Sequence, residues 1–219
     1  MIIDGSCDSV AECTRRSEEV EEKGIHYMTM AIAGSDDDIR KGPSFLTSGP
    51  KEAYDLLEPI LSKVAAQVND RACVGYLGEG VSGVYVKMVV EALEHGESQL
   101  LAEIYDLWRQ ARFSNKEMSD LFAEWNKSEE ENYLLSISSI IVNKKDSDVD
   151  GCKPSDYMLI DKIWDQPSKK KVNTPLMSET VTADATIDMI ATALFERYEA
   201  SMKEDRAKSE FYNNHSFYF

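Results

Sequence analysis

No apolar run in these 219 residues approaches the roughly 20 that span a bilayer, so no membrane helix is expected. The opening, Met1-Ile2-Ile3-Asp4-Gly5, lacks the basic stretch and apolar block of a secretory leader, and a reducing, cytoplasmic setting is expected. Histidine is scarce (His26, His95, His215), and the four cysteines Cys7, Cys13, Cys73 and Cys152 form no CxxC pair. That supply does not make a zinc site, and no metal is expected. Positive charge is short as well: 24 Lys and Arg stand against 40 Asp and Glu, a formal net charge of -16. A field of that sign argues against nucleic acid and membrane as partners. It also repels phosphorylated metabolites unless a local basic pocket overcomes it.

What the chain does have is apolar material, 42% of its residues, enough to bury a core and to exclude wholesale disorder. The first third alternates. Met1 to Ile3 reads as a strand stub, Ser9 to Lys23 as a helix stopped at Gly24, and His26 to Ile32 as a strand. Gly34 to Asp38 reads as a turn and Ser44 to Leu46 as a strand. Leu56, Leu57, Ile60, Leu61, Val64 and Ala65 then recur at helical spacing between Lys51 and Val68. Ala72 to Leu77 is another strand. Such alternation predicts the end of a parallel α/β sheet. Helical patterns follow, over Val81–Arg112, Ser114–Trp125 and Ser128–Val142. Ser114 and Glu117 cap the second of these, and Ser128 and Glu131 the third, in capping-box spacing. A polar loop over Asp146–Ser155, a short helix over Tyr157–Trp164 and a helix over Ala183–Ser209 complete the pattern. The expected architecture is α/β followed by all-α, with one domain over residues 1–78 and a helical one over 79–219.

One segment carries chemistry. Lys87, Glu91 and Glu94 fall at i, i+4 and i+7, on one helical face. An amine and a carboxylate so placed can serve as base and acid when desolvated, or form a solvated pair contributing a few tenths of a kcal/mol.

The stretch GVYVKMVVEALEHGESQL, residues 83–100, resembles the signature helix GHFVKMVHNGIEYGDMQL of the decarboxylating 6-phosphogluconate dehydrogenases. Other blocks follow in the family's order. Met1 to Gly5 resembles IIIDGGN, and Gly42-Pro43-Ser44 with Gly49 and Lys51-Glu52-Ala53 resembles GPSLMPGGNKEAW. Phe122 to Glu129 resembles FEDWNKTE, and Ala193 to Arg197 with Ser201 to Arg206 resembles AVFAR and SLKDER. The resemblance implies the remnant of a Rossmann-type coenzyme domain followed by the first part of the family's helical domain. It also implies NADP-dependent oxidative decarboxylation of 6-phosphogluconate to ribulose 5-phosphate, with Lys87 matching the general base and Glu94 the general acid. Gly34, Ser35, Glu91, His95, Lys170 and Arg197 match substrate-binding positions, and Cys7 matches an asparagine beside the nicotinamide.

Several matches are to the wrong residue. The asparagine has become Cys7, the serine of the family's SGG loop has become Ala33, the His-Asn pair has become Val90-Glu91, and a phosphate-contacting tyrosine has become His95. The family's Gly-rich phosphate loop lies ahead of the matched part and is expected to be missing, as are the family's last helices. An acid one turn from Lys87 favours the ammonium form and sets negative charge where a sugar acid would lie, at a cost on the order of several kcal/mol. Each lost donor adds about 1–3 kcal/mol. The expected outcome is a decayed site that binds NADP at most weakly, with a remaining role as a homodimer, a partner of a full-length relative, or a small-molecule binder. An active fragment needing the missing segments is the alternative. The basic run Ser168–Lys171 and the aromatic tail Phe211–Phe219 are expected to be a solvated patch and a docking or frayed end.

Overall fold

A computed structural model describes residues 1–6, 8–34, 36–129, 131–148, 157–163, 176 and 187–208, with the side chains of 36–38 set aside. Cys7, Ser35, Lys170, the run Ser168–Lys171 and the tail Phe211–Phe219 lie outside the described residues. Among the described residues, 1–92 with Leu176 belong to one compact unit and 93–163 with 187–208 to a second. No described helix is long and apolar enough to cross a membrane.

The first unit is built on a four-stranded sheet of β1 (Ile2–Asp4), β2 (Tyr27–Ala33), β3 (Ser44–Ser48) and β6 (Val74–Tyr76), in that spatial order. β1 runs parallel to β2, joined through α1 (Val10–Glu21), and β3 runs parallel to β6, reached through α3 (Lys51–Val64). The β2–β3 pair is antiparallel, one reversal within the sheet expected to be parallel. The reason is chain length. Only Gly34 to Pro43 separates the two strands, and a parallel return needs a dozen or more residues. That connection is also more than a turn, because α2 (Asp36–Lys41) forms within it.

α3 packs Ala53, Tyr54, Leu57 and Leu61 against Met28 and Phe45 of the sheet. Its other apolar row, Leu56, Ile60 and Val64, faces outward, so half of the periodic residues are not core. α3 also ends four residues sooner than its apolar spacing suggests. Asn69 and Asp70 both adopt positive φ (50° and 59°) and turn β4 (Gln67–Val68) back onto β5 (Arg71–Ala72). Asn and Asp tolerate that conformation, which a two-residue hairpin demands.

In the second unit, α5 (Asn115–Trp125) starts at the capping box of Ser114 and Glu117, as its spacing predicts. α6 (Tyr133–Ile141) starts later than expected. Its cap is Asn132, which accepts from the Leu135 amide at 2.9 Å, and not Ser128. The Asn126 side chain holds the Asn132 amide at 2.9 Å, and this tie sets the helix start. Met118, Phe122, Leu135 and Val142 form the core with Leu101, Tyr105 and Trp108 of α4 (Ser82–Gln110). Trp108 is its centre, with ring centroids 4.9 Å from Phe122 and 5.2 Å from Trp125. Leu159–Lys162 is a single 3-10 turn, tied to α4 by Arg109 and Asp161 at 2.6 Å. α7 (Asp188–Ser201) starts later than expected and breaks at Met202, and the chain is helical again over 203–208, so the expected helix is interrupted.

At the exit of β1 a charged knot joins strand to helix. The Asp4 carboxylate accepts from the Ser6 amide (2.8 Å), the Arg16 guanidinium (3.1 Å) and the Tyr27 hydroxyl. Arg16 also reaches Asp8 and Glu12. Burial pushes the Asp4 carboxyl upward, but the donors from Ser6, Tyr27 and Arg16 outweigh it and hold the group well below the usual carboxylate range. A depressed folded value means stabilisation that is present above the unfolded value near ~4 and is lost as pH falls toward the folded one. Asp4→Asn is expected to cost about 1–3 kcal/mol at pH 7. Urea unfolding of both proteins at pH 7 and pH 3 checks this. The gap should narrow at the lower pH, and an unchanged gap would contradict the knot's charged role.

Candidate functional site

Four of the site residues that the structure describes, Lys87, Glu91, Glu94 and His95, lie on α4, and the way α4 leaves the sheet decides where Lys87 stands. β6 passes through Leu77-Gly78-Glu79-Gly80-Val81 into Ser82. Gly78, Gly80 and Gly83 have the GxGxxG spacing between a strand and a helix, so a Gly-rich run does occur in the chain, away from the family's first strand. Two of its donors are engaged within the fold. The Gly83 amide donates to Ser48 Oγ at 2.9 Å, and the Ser82 hydroxyl lies 3.0 Å from the Leu77 carbonyl and 3.1 Å from that of Glu79. A Cβ at Gly83 would lie 2.7 Å from the Leu46 carbonyl oxygen, so only glycine lets the helix come this close. Ser48 in turn meets Thr29 Oγ1 at 2.5 Å, and both are fully buried. No strand of the sheet follows α4 among the described residues. The run therefore docks a helix on strand ends, with Gly83 at the contact.

One turn beyond this contact stands Lys87, its side chain only 19% exposed. Its Nζ lies 3.2 Å from Glu91 Oε1, and Glu91 is 48% exposed. The pair anticipated from i,i+4 spacing is formed. Glu94 follows on the same helix and is exposed, while His95 is half-buried. Gly34 closes β2 with φ 133°, a conformation that favours glycine, and the preceding Ala33 brings no hydroxyl. Arg197 lies on α7, half-buried, and its Nε is buried with no hydrogen-bond partner among the described residues. Among the described residues no cluster of three or more His, Cys, Asp or Glu side chains could hold a metal.

Two features escaped the sequence. The Ser48–Thr29–Gly83 contact joins residues far apart in the chain. The Arg16 knot depends on a helix face turned toward β1. Neither has a local signature.

Comparison with known proteins places this arrangement. The family model for the NAD binding domain of 6-phosphogluconate dehydrogenase matches residues 1–83, and that for the C-terminal domain of 6-phosphogluconate dehydrogenase matches residues 83–216. A chloroplastic decarboxylating 6-phosphogluconate dehydrogenase of Arabidopsis thaliana is 38% identical over 206 residues, 94% of this chain and 41% of its own length. The NADP(+)-dependent decarboxylating enzyme of Bacillus subtilis is 34% identical over 95% of this chain and 44% of its own. The chain thus spans about two fifths of the length of the curated relatives it matches. The Plasmodium falciparum 6-phosphogluconate dehydrogenase, solved in its apo form and in complexes with NADP+ and with 6-phosphogluconate, superposes with a TM-score of 0.88 at 34% identity. That match covers 97% of this chain and 44% of the other. A 3-hydroxyisobutyrate dehydrogenase of Mycobacterium tuberculosis shares the fold alone, with a TM-score of 0.63 at 16% identity over 90% of this chain and 63% of the other. With both family models matched and the signature helix in place, the chain belongs to the 6-phosphogluconate dehydrogenase family.

Proposed function

We propose that this chain is a 6-phosphogluconate dehydrogenase-like protein in which NADP-dependent oxidative decarboxylation of 6-phosphogluconate is lost or severely impaired. What remains is a binding or dimerising role, with a second copy or a full-length relative as partner. The observation that supports it is the ion pair of Lys87 with Glu91. A lysine acts as base at neutral pH when burial, unopposed, brings its pKa down toward 7 or 8. Lys87 has the burial, but a carboxylate at 3.2 Å favours the ammonium form and opposes that shift.

Magnitude decides how much weight Glu91 carries. Because it is half in solvent, its repulsion of a sugar acid is screened to on the order of 1 kcal/mol, about tenfold, less than the sequence argument allowed. The larger share of the loss comes from the base and from the missing hydroxyl at Ala33. For NADP, the Gly78–Gly83 run seats α4 on the strand ends with the Gly83 amide engaged by Ser48, and a tight complex with this chain is not expected. The competing reading, an active fragment completed by segments from elsewhere, draws support from the retention of Lys87 and Glu94 on one helix.

Three measurements bear on this. Purified chain mixed with NADP and 6-phosphogluconate should show no reduction above background at 340 nm, and turnover would refute the proposal. The double change Val90→His with Glu91→Asn should tighten 6-phosphogluconate binding by about tenfold or more in calorimetry, since it removes the acid and supplies neutral donors. Equal weak binding by both proteins would clear Glu91 of its role. Light scattering, alone and with a full-length family member, should show association; a monomer in both mixtures would remove the dimerising role.

A further inference from the structure

We draw no further inference here: the strongest candidate, the acidic loop after α6 in which Asp146, Asp148 and Asp150 precede Gly151 in the sequence, rests on a cluster of carboxylates of which Asp146 is already held by Lys162 and Asp148 by the Lys145 amide, and nothing further among the described residues points to a cation there.

Discussion

With no side chain at Gly83, the first turn of α4 lies against the Leu46 carbonyl and takes its amide contact from Ser48. The placement of the chemistry follows from that approach. Any larger residue would push the helix off the strand ends, because a β-carbon at 2.7 Å from a backbone oxygen has nowhere to go. Ser48 is itself held by Thr29 across the antiparallel β2–β3 pair, so the sheet register and the start of the helix are one structural decision. Lys87 is half-buried one turn later because the helix begins where it does.

The same helix sets an ion pair at the position that the family resemblance assigns to the base. Lys87 and Glu94 keep the residue types that the family resemblance assigns to base and acid, and the backbone that carries them is intact. What the structure adds is a neighbouring charge: Glu91 Oε1 lies 3.2 Å from the Lys87 amine. Fold and site chemistry are set separately here, since the helix is held by apolar packing and the charge beside Lys87 takes no part in it.

Much of the fold is legible in the sequence because its signals are local. Ser114 with Glu117 announces α5, and Ser9 and Gly24 bracket α1, since capping involves residues a few positions apart. The misses have equally local or tertiary causes. Asn69-Asp70 marks a hairpin that apolar spacing in α3 obscured, and the start of α6 at Asn132 depends on a hydrogen bond from a preceding loop. The outward row Leu56, Ile60 and Val64 has the same periodicity as the buried one, and periodicity cannot say which row meets the sheet.

The sequence by itself determined the α/β-then-helical order, the Lys87–Glu91–Glu94 face and the family resemblance, because each is encoded in spacings along a single element. Only the tertiary structure decided that the Gly78–Gly83 run docks a helix on the strand ends. It alone decided that Glu91 stays half in solvent beside a half-buried amine, and that leucines 93, 100 and 107 are exposed among the described residues. The physical reason is common to all three. Burial and donor occupancy are set by what other segments bring alongside, and spacing along one helix carries no record of that.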